Sequence, residues 1–234
     1  IPAALTHFET MFVLACLAFR DAGVEYAVIE VGMGGRLDAT NVVQPIVSVL
    51  CPIEKEHTDL LGNSLVAIAR EKCGIIKKRI PVVSARQKPA VEKVIEKMCT
   101  AQKTKVFYVT GDSSLPHSFG LLGAHQKNNA QLAAAVLELF GVPFPKKFQT
   151  LLLPGRCSVL RKKPLLVVDA AHTIESAKAL RTVLDTVAPN KRWTFLFSAL
   201  ADKPVSGIVK ILQHPGDRFI LTQLNHPRAM AMAD

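Results

Sequence analysis

The chain has 234 residues, 49% hydrophobic and 21% charged, enough to bury one sizeable core or two modest ones. Its mean hydropathy of +0.25 is high, yet the longest purely apolar run, Met11 to Phe19, is closed by Arg20, far short of the about 18 residues that a membrane span needs. The formal charge of +10 is accompanied by basic clusters (Lys77-Lys78-Arg79, Lys146-Lys147, Arg161-Lys162-Lys163) that are short and scattered, with only 6% aromatics to interleave them, so the expected partners are anionic small molecules, not nucleic acid or a membrane.

Helical periods alternate with short β-branched runs, which predicts an α/β fold with a largely parallel sheet. In chain order the pattern predicts a helix over Phe8 to Ala22, ending at Gly23, then strands over Tyr26 to Val31 and Ile46 to Cys51. A helix over Leu65 to Lys77, a strand over Ile80 to Ser84, a helix over Ala90 to Ala101 and a strand over Lys105 to Val109 follow. Gly111 to Gly123 is rich in turn residues, and Asn128 to Phe140 is a helix with Leu132, Val136 and Leu139 on one face. Pro143 to Lys147 reads as a linker. A second α/β pattern succeeds it: strand Leu165 to Asp169, helix Ile174 to Val187, strand Trp193 to Phe197, helix Val205 to Leu212 and strand Phe219 to Leu221. Two lobes are expected.

The five cysteines (Cys16, Cys51, Cys73, Cys99 and Cys157) form no CxxC pair, and an odd number cannot all pair within the chain. No signal-peptide pattern follows Ile1-Pro2. A reduced, cytoplasmic setting is expected, with a mitochondrial one left open.

Ligands of open α/β sheets bind beyond the carboxyl ends of parallel strands. Three polar groups fall at such ends: Glu30 after Tyr-Ala-Val-Ile, His57 shortly after Ile-Val-Ser-Val-Leu-Cys, and Asp169 after Leu-Leu-Val-Val, with His172 three residues on. Glu30 and His57 offer oxygen and nitrogen donors suited to a divalent metal; a loop salt bridge and a structural histidine are the plainer readings of the same residues. The segment Val31-Gly32-Met33-Gly34-Gly35-Arg36-Leu37-Asp38-Ala39-Thr40-Asn41 follows Glu30. It is not a dinucleotide fingerprint, which would need glycine at Leu37, and no GxxxxGK[ST] segment occurs anywhere in the 234 residues.

Taken together, Leu5-Thr6-His7-Phe8-Glu9, the run from Glu30 to Asn41, His57-Thr58-Asp59-Leu60-Leu61-Gly62 and Ile68 to Lys77 closely resemble the folylpolyglutamate/dihydrofolate synthase family of the Mur ligase superfamily. His125 to Ala130, Pro154-Gly155-Arg156, Asp169-Ala170-Ala171-His172, Ala199 to Lys203 and Pro227-Arg228-Ala229 continue the match in the family's order. The resemblance implies a P-loop-type ATPase-like parallel-sheet domain over residues 1–146, lacking its P-loop strand, and a truncated Rossmann-like glutamate ligase domain over 147–234. It implies an ATP- and Mg2+-dependent ligase, acting as a monomer, in which a folate carboxylate is phosphorylated and the acyl phosphate is attacked by the amine of L-glutamate.

By the same resemblance Glu30, His57 and Lys72 are the catalytic and magnesium-binding residues, Lys72 as a carbamate. Asn129, Arg156 and Asp169 contact ATP. Thr6, His7, Phe8, Glu9, Leu37, Asp38 and Ala39 line the folate pocket, and His172 lies on the glutamate side. The chain departs from the family pattern at Glu56 (Asp before the histidine), Ala170 (Gly) and Thr173 (Asn), and it is shorter between Val109 and Gly123 and between Gly141 and Leu153. Without a phosphate-holding loop the 234 residues are expected not to turn over. A non-catalytic remnant that binds folate or a protein, and another Mur-type amino-acid ligase, are the alternative readings.

Overall fold

The computed structural model describes residues 4–109, 120–145 and 151–231. The turn-rich stretch expected before Gly123 falls largely outside the described residues, as do Lys146 and Lys147 of the expected linker. The chain forms two compact units, Ile1–Ser113 with Leu132–Gly141, and Ser114–Gln131 with Val142–Asp234.

In the first unit α1 (His7–Asp21) is started by a reciprocal cap, in which Thr6 and Glu9 satisfy each other's backbone N–H groups. A parallel sheet follows in the order β1 (Ser48–Leu50), β2 (Val82–Ala85), β3 (Val106–Val109). The short α2 (Thr58–Leu61) and then α3 (Leu65–Lys72) connect β1 towards β2, and α4 (Pro89–Ala101) connects β2 to β3. Strand β2 is buried throughout, as a central parallel strand should be. Val82 packs into a core with Ile68, Ala69 and Cys73 from around α3 and Val91, Ile95 and Cys99 from α4. Val83 and Ala85 pack with Leu132 of α5 (Ala124–Leu139). Alternation along one strand thus supplies two separate apolar layers.

Two expected elements differ here. Tyr26 to Val31 is not a strand: it pairs with no strand among the described residues, and Val28 is 97% exposed. A strand is defined by its ladder, so a β-branched run without a partner has nothing to fix it. The helix expected to reach Lys77 stops at Lys72 and tightens into a 3-10 turn, Cys73–Ile75, because Gly74 is pressed against the Arg36 backbone.

The second unit holds a hairpin, β4 (Ser158–Lys162) antiparallel to β5 (Leu165–Val168), whose first strand the sequence pattern does not announce. Helix α6 (Ile174–Val187) precedes a parallel pair, β6 (Thr194–Phe197) and β7 (Arg218–Leu221), joined through α7 (Val205–Leu212). Ala177, Ile208 and Leu212 form its core with Phe195, Phe197 and Phe219 packed on them, and Phe195 and Phe219 stack at 4.8 Å. Among the described residues no helix is long and apolar enough to cross a membrane.

Candidate functional site

The two sequence motifs of the first unit, the glycine-rich segment and Arg70-Glu71-Lys72-Cys73-Gly74-Ile75, are built into one another. A side chain at Gly35 would lie 2.8 Å from the Glu71 carbonyl oxygen and 2.9 Å from that of Lys72. One at Gly74 would come within 2.5 Å of the Arg36 Cα. Both contacts are shorter than any real Cβ makes, so the two backbones approach only because neither position carries one. The Arg36 N–H donates to the Glu71 carbonyl at 2.8 Å, and its guanidinium pairs with the Glu71 carboxylate at 3.1 Å. Asn41 donates to the carbonyls of Arg36 and Gly74, and Lys77 donates to the Asn41 carbonyl at 2.7 Å.

This interlock fixes the last turn of α3, and with it Lys72. Lys72 is half-buried and makes no hydrogen bond or ion pair among the described residues. Glu30 is exposed and likewise unengaged in hydrogen bonds or ion pairs. Both act on the Cys51 thiol just beyond β1. Its pKa is pushed up first by desolvation and then by the Glu30 carboxylate, while the Lys72 ammonium pulls it down. Glu30, Cys51 and Lys72 therefore share one neighbourhood at the carboxyl end of β1. The free Glu30 carboxylate offers oxygen donors of the kind a hard divalent cation takes, whereas Lys72 as an ammonium offers none.

His57 stands at the head of α2 with left-handed backbone (φ 50°), its ring 40% exposed and 3.5 Å from Glu56. No hydrogen bond or ion pair joins it to Glu30 or Lys72. Among the described residues no group of three or more His, Cys, Asp or Glu side chains is arranged to hold a metal.

The residues expected around folate divide by role. Thr6 and Glu9 are engaged with each other in the α1 cap, where the Thr6 backbone N–H and hydroxyl hold the Glu9 carboxyl below its ordinary pKa. Phe8 lies over Gly32, where a Cβ would meet its ring at 2.6 Å. His7 opens α1 and is exposed. Asp38 caps the 3-10 turn Ala39–Val42: Oδ1 accepts from the Thr40 N–H and hydroxyl, Oδ2 from the Met33 N–H. Desolvation works to raise its pKa, but these donors win and the carboxyl is lowered. Leu37 beside it is 80% exposed, and Ala39 is half-buried.

In the second unit Asp169 closes β5 and ties three segments together. Oδ2 accepts from the Cys157 N–H at 2.7 Å, and Oδ1 from the Ala171 N–H at 2.8 Å. The Ala170 N–H in turn donates to the Gly155 carbonyl. Arg156, between Gly155 and Cys157, is exposed. His172 is exposed, with its Nδ1 at 2.9 Å from the Ala170 carbonyl oxygen. Asn129, on the part of α5 that belongs to this unit, donates weakly to Gln126 at 3.5 Å.

The sequence reading passed over His125, which packs on Gly123. Its pKa is lowered by desolvation, with the Asp169 carboxylate opposing and Arg156 adding to the effect, so it belongs to the Asp169 and Arg156 cluster. Its position one residue before Gln126 in the quoted His-Gln-Lys-Asn-Asn run was the available signal. Thr173, in place of asparagine, caps α6 by accepting from the Ser176 N–H.

Residues 155–234 match the model of the Mur ligase, glutamate ligase domain. The chain is similar to the dihydrofolate synthase/folylpolyglutamate synthase of Mycobacterium tuberculosis, at 34% identity over 97% of this chain and 54% of that protein. It is also similar to the Bacillus subtilis protein of the same name, at 30% identity over 98% of this chain and 61% of that one. Its fold matches Mycobacterium tuberculosis folylpolyglutamate synthase complexed with ADP, with a TM-score of 0.87 and 33% identity over 98% of this chain and 58% of that chain. The chain thus spans somewhat more than half the length of the curated relatives it matches.

Proposed function

This chain belongs to the folylpolyglutamate/dihydrofolate synthase family of Mur-type ligases, and from that premise we propose that it supplies much of the machinery by which ATP drives L-glutamate onto a folate carboxylate. Residues 1–146 form the central domain and 147–234 the glutamate ligase domain, working as a monomer in the cytoplasm. The observation that carries the reading is the interlock of Gly35, Gly74 and Asn41, which places Lys72 in the same neighbourhood as Glu30 and Cys51.

Glu30, His57 and carbamylated Lys72 would hold magnesium, which when bound draws charge off a transferring phosphoryl group. The rest of the work is positioning. Arg156, Asp169 and Asn129 of the second unit orient the nucleotide, with His125 beside them. Phe8, Leu37 and their neighbours present apolar surface to the pteridine. His172, held by the Ala170 carbonyl, faces the incoming glutamate. A ligase that holds two anions and an amine together makes the attack effectively unimolecular. The ADP complex of the Mycobacterium tuberculosis relative supports ATP as the nucleotide.

None of the 234 residues forms a GxxxxGK[ST] loop, so we propose that they do not turn over by themselves. The test is ADP release with ATP, magnesium, L-glutamate and dihydropteroate or tetrahydrofolate. It compares this chain with one extended at its N-terminus by the corresponding segment of the Mycobacterium tuberculosis relative. Glutamate-dependent release by the extended chain alone is expected. Release by the unextended chain would overturn the inactivity, and folate binding without release by either would favour a non-catalytic role.

A further inference from the structure

Beyond Leu50 the chain leaves the β1–β2 ladder, and the loop that starts there carries Cys51 and then His57. The pairing with β2 ends at Leu50 and Ser84. The side chain of Gln87, two residues past the end of β2, reaches this loop. Its Nε2 donates to the Cys51 carbonyl at 2.9 Å, and its Oε1 accepts from the Ile53 N–H at 2.9 Å. A carbonyl at residue 51 and an N–H at residue 53 are the pair that a parallel strand residue opposite Pro52 would engage. One primary amide therefore engages two backbone groups of the loop, as a strand peptide would, past the end of the ladder.

The amide is itself held. Its Nε2 also lies 3.4 Å from the Ser84 hydroxyl, and the Gln87 N–H donates to Glu92 Oε1 at 3.1 Å. Glu92 pairs with Arg86 at 3.5 Å, whose guanidinium lies over the Tyr108 ring. Gln87 is thus fixed to β2, α4 and β3 on one side and grips the loop on the other. On that loop Cys51 neighbours Glu30 and Lys72, Ile53 is buried in the core, and His57 follows four residues later in a left-handed turn.

We propose that Gln87 is the positioning residue of the candidate metal site: its amide sets the loop from Cys51 to Ile53, and through it the placement of His57 relative to Glu30 and Lys72. The proposal rests on the reading of these three residues as the metal-binding set. No other side chain among the described residues bridges the end of β2 to this loop by hydrogen bonds at both Cys51 and Ile53.

The test uses the full chain and two readouts other than turnover. The first is Mn2+ binding, followed by the paramagnetic resonance signal of the free ion, with a Glu30→Gln chain giving the level of binding from elsewhere. The second is alkylation of Cys51 by iodoacetamide, read by peptide mass, with buried Cys73 and Cys99 as internal controls for folding. Gln87→Met removes both hydrogen bonds; Gln87→Glu keeps the acceptor for Ile53 and loses the donor to Cys51. In Gln87→Met, Mn2+ binding is expected to weaken about tenfold, the scale of the hydrogen bonds left unmade, and Cys51, already exposed in the wild type, to label faster, while Cys73 and Cys99 stay protected. Gln87→Glu is expected between this and the wild type, which keeps the test open should the methionine variant not fold.

If the wild-type chain binds Mn2+ above the Glu30→Gln level and both Gln87 variants bind it equally well, Gln87 is a structural tie only and the inference is overturned alone. If the variants label at the wild-type rate, the loop does not depend on Gln87 and the inference is likewise overturned. If the wild-type chain binds no more Mn2+ than Glu30→Gln, the metal reading itself fails and takes the inference with it.

Discussion

In the first unit the candidate site is held by the absence of atoms, and in the second by charge. Gly35 and Gly74 let two backbones approach where any Cβ would collide with a carbonyl or with Arg36. Around Asp169, by contrast, a carboxylate gathers the N–H groups of Cys157 and Ala171, and elsewhere in the unit Asp217 accepts from the N–H groups of Trp193 and His214. A steric requirement tolerates one residue type and does not depend on pH. A polar anchor tolerates isosteres in part and responds to protonation. The two units should therefore fail differently when disturbed.

The largest effect is expected where the polar strategy is most buried. Arg181, 8% exposed, bonds the Leu212 carbonyl, Asp185 and Asp217, and the Asp217 side chain is 2% exposed. Arg181→Ala leaves Asp217 without its cation and should destabilise the second unit by about 3–5 kcal/mol. Trp193, the single tryptophan, donates its backbone N–H to Asp217, so its fluorescence in a urea titration reports that unit. The sign with pH also follows. Burial pushes the Asp217 carboxyl up, but the Trp193 and His214 N–H groups and Arg181 outweigh it and lower the pKa below its ordinary value. Its contribution is then complete above the unfolded carboxylate range and is lost as pH falls through the lowered value, below about pH 4. A loss under about 1 kcal/mol in Arg181→Ala would show a surface-type pair and erase the contrast.

The next effect tests the steric strategy. Gly74→Ala forces Arg36 and α3 apart and is expected to destabilise the first unit by about 1–3 kcal/mol. The buried Cys73 and Cys99 thiols should become alkylated at lower urea. The penalty should hold constant between about pH 5 and pH 8, because no titrating group creates it. A penalty that changed markedly with added salt would mean that the Arg36 to Glu71 ion pair, not the missing Cβ, holds the motif.

How much of this was legible depended on the same distinction. The Gly-Gly-Arg-Leu-Asp-Ala-Thr-Asn and Arg-Glu-Lys-Cys-Gly-Ile runs could be recognised as motifs because sterics had fixed their letters. That they dock on each other could not be read, since the contact spans 35 residues of sequence separation. Helices α6 and α7 were legible to the residue from their apolar period. Tyr26 to Val31 has strand composition, but composition cannot supply a ladder partner, and in the fold it has none among the described residues. Strand β4, Ser-Val-Leu-Arg-Lys, was missed because three of its five residues are charged or polar, and among the described residues it pairs only as one arm of a hairpin. His125 was quoted within a motif yet given no role; its relation to Asp169 and Arg156 arises from folding, not spacing.

His125 offers the smallest and most discriminating effect. Desolvation lowers its pKa, the Asp169 carboxylate opposes this and Arg156 reinforces it, with a net shift downward from 6.5. The unfolded chain therefore takes up the proton first. Stability contributed by the neutral ring is complete above about pH 6.5 and falls as the pH drops towards the lowered folded value. His125→Gln should abolish that decline, leaving the second unit less pH-dependent between about pH 6.5 and pH 5 and shifted by under about 1 kcal/mol at neutral pH. Trp193 fluorescence in urea at both pH values reads the difference. An unchanged slope in His125→Gln would place the acid sensitivity elsewhere in the unit. A steeper one would mean that the ring is protonated and paired with Asp169 in the folded protein, so that the imidazolium, not the imidazole, stands beside Asp169 and Arg156.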